Sequence, residues 1–196
     1  EKTDIPRTAA TVKGLALAAA QPIEILIHSN IEDSFAPLFS DLCCCLGMVL
    51  VEQYIVGDLI GGKVAHCYGQ TFPNSLKRLA FQRALGRIAP DTGTMIVGNT
   101  SAYERDEGLS YAVLASTLTT DLIAQRLQPT LHALVPIPVT EFSRIPDIEE
   151  IATVHLFANR LNDRLESMMP MIDLDAADRV ADQLIDGGQV FKTRLL

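Results

Sequence analysis

The chain has 196 residues, 48% apolar and 20% charged, a composition that supports one substantial core and excludes a disordered chain. Its net charge of −8 excludes a broadly basic nucleic-acid surface, while leaving room for a local basic patch that faces a phosphate. The apolar stretch from Leu42 to Ile60 is interrupted by Glu52, Gln53 and Asp58, and no basic leader followed by an apolar run opens the sequence. A cytoplasmic chain with no membrane span is therefore expected.

Residues 1–13 read as a polar lead-in, and Gly14 to Ala20 as the end of a small helix. "PIEILIHSN" follows as a short strand stopped by Ser29 and Asn30. The segment from Ser34 to Gly62 has helical length and closes on a glycine pair, with Pro37 acceptable only near its first turn. "KVAHCY" is a second strand and "NSLKRLAFQRALGRI" a helix with Leu76, Leu79, Ala80 and Phe81 on one face. Lys77, Arg78, Arg83 and Arg87 on that helix read as a solvated basic side. "GTMIVGN" is a third strand, "GLSYAVLASTLTTDLIAQRLQ" a long helix, and "TLHALVPIPV" a fourth strand. A helix beginning at Asp147, with acids in its first turn, suits the helix dipole. "DAADRVADQLIDGG" reads as a short closing helix stopped by its glycines.

Strand and helix alternate with short connections, which predicts an α/β fold of parallel (β/α) units of the TIM-barrel type. Four clear units fall short of the about 250 residues that close such a barrel, so a partial barrel is expected. An open doubly wound sheet is the alternative. Residues 1–170 are assigned to the α/β domain and 171–196 to a C-terminal helix and tail. The consecutive Cys43, Cys44 and Cys45 lack the spacing of a metal site and read, with Cys67, as small buried residues in a reducing compartment. No metal site is expected.

Parallel sheets bind ligands outside the carboxyl ends of their strands, so those ends are the candidate site. His28 ends the first strand, where an imidazole can hydrogen-bond a substrate carboxylate or pass a proton. His66, Tyr68 and Gly69 end the second strand, Gln70 and Thr71 follow it, and together they offer donors, acceptors and a flexible backbone; an ordinary polar loop would look the same. Gly98, Asn99 and Thr100 follow the third and present either an anion-binding turn or a helix cap. His132 lies within the fourth strand, either toward a ligand or satisfied in the core. Thr140 and Glu141 sit on a loop stiffened by Pro136, Pro138 and Pro146, with Arg144 beside them. Asp106 and Glu107 suit helix capping better than catalysis, and His155 reads as structural.

From Tyr68 onward, "YGQTFPNS", "TMIVGNTSAYERDEGLSYAVLA", "PTLHALVPIPVTE" and the terminal "VADQLIDGGQVF" resemble the second half of the large subunit of glutamate (methylaspartate) mutase. That family's large subunit is a TIM barrel that rearranges carbon skeletons with radicals from adenosylcobalamin. The resemblance implies a radical isomerase of the mutase class, acting on a small carboxylate or amino acid, with His28 matching a substrate-side histidine. It also implies a cobalamin-binding small subunit, since the D-x-H-x-x-G cobalt-ligand motif belongs to that chain and is absent here. A homo-oligomer would be the other assembly. Ile27 stands where the family has a substrate-binding arginine, and Pro129 and Ala133 replace a lysine and a glutamate near the cofactor ribose. Two other readings stay open: a non-catalytic half-barrel used in assembly or regulation, and a small open-sheet enzyme for a phosphorylated or nucleotide ligand.

Overall fold

A computed structural model describes residues 4–31, 41–71, 74–90, 93, 95–129 and 133–196. The strands β1 (Leu26–Asn30), β2 (Lys63–Tyr68), β3 (Met95–Val97) and β4 (Ala133–Val135) form one four-stranded sheet in the order β1-β2-β3-β4. Every pairing is parallel. The protein is thus a mixed α/β fold, as alternation of short β-branched runs with long amphipathic ones predicts. A doubly wound sheet reverses its strand order at a switch point. No such reversal occurs among the described strands.

Helix α1 (Asp4–Ala19) precedes β1, and α2 (Leu42–Gln53) precedes β2. Helices α3 (Ser75–Ile88) and α4 (Glu107–Leu127) follow β2 and β3, and α5 (Ile148–Leu165) and α6 (Asp175–Leu195) complete the chain. Helices α2 to α5 start at short polar side chains that accept hydrogen bonds from otherwise orphaned N–H groups. Asp41 accepts from Cys44 N at 2.9 Å, Asn74 from Lys77 N at 3.0 Å and Asp106 from Leu109 N at 3.1 Å. At α5, Asp147 Oδ1 accepts from Glu150 N at 2.9 Å while Glu150 Oε2 accepts from Asp147 N at 2.8 Å, a reciprocal capping box. The expected capping role of Asp106 is thereby seen directly.

Register and alternation divide the sheet into two faces. Ser29 lies beside His66, Tyr68 beside Ile96, and Ile96 beside Leu134. On that face Tyr68 and Ile96 join Cys45, Leu46, Val49, Phe81, Leu85, Ala181 and Leu184 in one core, with Leu134 packed against it. Tyr68 and Phe81 meet edge to face, with ring centroids 5.3 Å apart. The other face carries His28 beside Ala65, Cys67 beside Met95, and Val97 beside Val135. His28, Lys63 and Ala133 are exposed there, and Met95, Val97 and Val135 are only half-buried. Ala65 and Cys67 are buried, yet none of these residues belongs to either hydrophobic cluster of the described residues.

Two boundaries differ from expectation. Helix α1 starts at Asp4, so the residues read as a polar lead-in are largely helical. Helix α6 runs through Gly187 and Gly188 to Leu195, where a glycine stop was expected. Those glycines are crossing points with α2. A Cβ on Gly187 would lie 2.6 Å from Cys43 Sγ, and one on Gly188 3.2 Å from Gly47 N. On α2, a Cβ on Gly47 would lie 2.5 Å from the Phe191 ring. Close approach of two helix backbones outweighs the intrinsic helix cost of glycine, about 1 kcal/mol. This packing also accounts for the cysteine run: Cys43 faces α6, Cys45 is buried in the core, and Cys44 N is held by the Asp41 cap. The terminal helix therefore shares the core of the sheet domain.

The stretch Leu42–Leu59 is long and apolar enough by composition to cross a bilayer. Within this fold Cys45, Leu46, Val49, Leu50, Val51 and Val56 from it are buried in the protein. It leaves α2 through a π-helical turn, Tyr54–Leu59, and reaches β2 through Gly61, whose φ of +76° favours glycine.

Candidate functional site at the strand ends

The ends of β2 and β3 are joined by a hydrogen-bonded cluster. Gln70 Nε2 donates to Thr100 Oγ1 at 3.2 Å, and Ser101 Oγ donates to Gln70 O at 2.8 Å and to Asn99 Oδ1 at 2.9 Å. Asn99 is buried, while Gln70, Thr71 and Ser101 are exposed, so the cluster has a fixed root and a polar tip. Thr100 opens a short 3-10 turn, Thr100–Ala102. After that turn, Tyr103 OH donates to Ile137 O at 2.8 Å, linking the end of β3 to the chain leaving β4. Burial pushes the Tyr103 phenol up to about 12, so it stays a donor across the physiological range.

The backbone N–H groups around the Gly98–Thr100 turn are directed mainly toward neighbouring backbone. Gly98 N donates to Val135 O at 3.0 Å, Thr100 N to Gly98 O at 2.9 Å and Ser101 N to Gln70 O at 3.4 Å. The N–H groups of Gly98, Thr100 and Ser101 thus already have backbone acceptors, on β4, within the turn and beyond β2 respectively.

His28 lies on the exposed face, and Ser29 and His66 lie on the helix-covered face. His66 is 1% exposed, and its Nε2 lies 3.1 Å from Glu52 Oε2, while Ser29 Oγ donates to Glu52 Oε1 at 2.8 Å. Glu52 of α2 thus ties β1 to β2 from behind the sheet. Tyr68 is fully buried in the core on that same face. The period-two alternation of the strand separates His66 and Tyr68 from the side that His28 occupies. Placing His66 and Tyr68 at a ligand-facing rim is corrected on this geometry.

Gly69 has φ +123°, and a Cβ there would run into Val97 O and come within 2.8 Å of Arg78 Nη2. Its glycine is required by backbone conformation and by this close approach. Thr140 and Glu141 occupy a 3-10 turn, Val139–Phe142, next to Arg144, which pairs with Glu150 at 2.6 Å. Thr140 lines a separate open groove of about 330 Å³, together with Tyr111, Leu114, Val154 and Phe157. His132 lies outside the described residues.

The largest departure from the sequence reading is Arg78. It is 1% exposed, not solvated. Arg78 Nε and Nη2 bind the two oxygens of Asp121 at 2.6 and 2.7 Å, and Gln82 Nε2 donates to Asp121 Oδ1 at 2.5 Å. Arg78 also donates to Gly69 O through Nη1 and to Val97 O through Nη2, the latter at 2.9 Å. Burial raises the Asp121 carboxyl, and the Arg78 and Gln82 hydrogen bonds pull against that shift. Arg83 and Arg87 instead pair with Asp178 on α6, each at 2.6 Å. Of that basic helix side, Lys77 alone matches the solvated reading in being exposed without an acidic partner among the described ion pairs.

A sequence signal for Arg78 exists. It sits three and seven residues before the buried Phe81 and Leu85, on the apolar stripe of α3. Asp121 likewise continues the stripe Leu114, Leu118 and precedes Ala124 on α4. Opposite charges on two buried stripes are a signature of an internal pair. Among the described residues no group of three or more His, Cys, Asp or Glu side chains can hold a metal ion. Comparison with known protein families, curated proteins and solved structures finds no match to this chain.

Proposed function

We propose that this chain is a partial barrel of the glutamate-mutase large-subunit kind, contributing one wall of a cavity for a small carboxylate or amino acid. The observation that carries the reading is the sheet itself: four parallel strands in sequential order, with the helix core on one face and His28 on the other. Parallel sheets are covered on both faces in nearly all folds, and a barrel interior is one way to cover the second. His28 then hydrogen-bonds a substrate carboxylate or carbonyl from the inner face, beside Ala65.

The fit to adenosylcobalamin is partial. When bound, that cofactor supplies the radical chemistry of the rearrangement. This chain's residues offer an apolar wall, one imidazole and the polar tip at Gln70, Thr71 and Thr100, with no cobalt-ligand motif. A cobalamin-binding small subunit is therefore the proposed partner, and a cytoplasmic isomerase the proposed class.

A second reading, a non-catalytic assembly or regulatory half-barrel, is favoured by one observation. Among the described strand residues there is no arginine, and Ile27 occupies the position where the family has one. Glutamate, with two carboxylates to hold, is accordingly a poor candidate substrate.

Anaerobic titration with adenosylcobalamin, with and without a D-x-H-x-x-G small-subunit chain, separates the readings. Binding that needs both chains, and substrate-dependent cleavage lost in His28→Ala, is the outcome expected of a mutase. A complex without turnover supports the assembly reading. No complex and no spectral change under any condition would sink both.

A further inference from the structure

We infer that Arg78 is a positioning residue, which sets the spacing of the β2 and β3 mouths before any ligand arrives. The inference rests on the proposed role of those strand ends as the ligand-bearing rim. One guanidinium binds the last β2-side carbonyl, Gly69 O, and the last β3 carbonyl, Val97 O, while Asp121 holds it from behind. Arg78 is carried by α3 and Asp121 by α4, so two helices lock two strand ends through a single planar group.

The geometry requires arginine. A guanidinium is rigid and planar, and it presents donors in a fork that meets a carboxylate on one edge and carbonyls on the other. A lysine ammonium is a compact point charge and cannot span the same partners. Gly69 is part of the same device, because a Cβ there would displace both the Val97 peptide and Arg78 Nη2. The cluster of Gln70, Asn99, Thr100 and Ser101 lies directly beyond the two clamped carbonyls. Holding a binding group within a fraction of an ångström is what supporting residues do for a site.

A purely structural ion pair and a positioning clamp differ in what replaces them. Exchanging a buried pair for apolar residues of similar volume is often neutral for stability. Such an exchange nevertheless removes the two donors that hold Gly69 O and Val97 O. The test is therefore the double variant Arg78→Met/Asp121→Leu, with Arg78→Lys as the second variant should the double variant fail to fold. Amide hydrogen exchange is followed at Gly98 and Ser101, which donate to Val135 O and Gln70 O, against Leu184 in the core. Protection at Gly98 and Ser101 is expected to fall about tenfold or more, with Leu184 unchanged. Unchanged protection at both rim amides in a folded variant overturns the inference.

The exchange readout uses the chain without ligand, so it does not depend on the mutase reading. Failure of the parent chain to bind adenosylcobalamin would remove the proposed function and leave the clamp standing. Where the parent does bind, with its partner chain, the folded variant is expected to bind about tenfold more weakly. Equal affinity overturns the positioning role.

Discussion

The two faces of the sheet are built on opposite principles. The covered face is a close-packed core in which Tyr68, Phe81, Leu46, Val49 and Leu85 are essentially inaccessible to water. There Arg78 is paired with Asp121, and His66 Nε2 lies 3.1 Å from Glu52 Oε2. The other face carries small or half-buried side chains with His28 and Lys63 among them, and Lys63 pairs with Glu24 at 2.8 Å at the amino end. Burial behind the sheet holds the strands in place, whereas the front face carries no cluster of buried apolar side chains among the described residues.

The comparison is most easily broken at the core. Phe81→Ala removes a fully buried ring that packs edge to face against Tyr68, and should destabilise the chain by about 3–5 kcal/mol in denaturant unfolding. A cost under about 1 kcal/mol would mean that the covered face is not the stabilising one.

A smaller effect tests the ion pairs that fasten α6 to α3. Hydrogen bonding from Arg83, with help from Arg87, holds the Asp178 carboxyl below its usual range. A depressed carboxylate pKa adds stability that is fully present above the unfolded value of about 3.9 and is lost as pH falls from there through the lower folded value. Asp178→Asn should thus reduce stability at neutral pH and flatten the acid limb of the stability curve. With a third of the side chain exposed, the effect is expected to stay below about 1 kcal/mol. An acid limb unchanged in the variant would show that the pair contributes nothing.

The smallest effect is expected on the front face. Val135→Thr keeps the shape at a half-buried position and should cost no more than about 0.5 kcal/mol in the isolated chain. The same substitution should matter more once a partner covers the face, so unfolding with and without the partner chain sharpens the comparison. A large cost in the isolated chain would mean that the front face is already core.

Much of this architecture was legible in advance because it rests on local rules. The strands at Leu26, Lys63, Met95 and Ala133 lie within β-branched or apolar runs, and α3, α4 and α5 start at Ser75, Glu107 and Ile148, each within a residue of the expected Asn74, Gly108 and Asp147. Capping depends on residues three positions apart, which a sequence displays directly. The glycine run of α6 misled for the opposite reason. A glycine's local preference says stop, and only the backbone of α2 across the interface shows why Gly187 and Gly188 continue the helix.

The site followed the same division. Strand alternation was enough to place His28 and His66 on opposite faces once the register was fixed, but register is a property of pairing between strands. The polar cluster of Gln70, Asn99 and Thr100 came from residues already conspicuous at strand ends. Arg78 and Asp121 did not, because they lie 43 residues apart and become partners only when two helices pack on the same sheet.

The sequence by itself determined an α/β chain of alternating units with a polar rim, because hydrophobic period, caps and turn residues act over a few residues. Tertiary structure alone decided which polar groups are buried and which are exposed. Burial, register and ion pairing are set by distant parts of the chain, and they turned a basic helix side into an internal clamp.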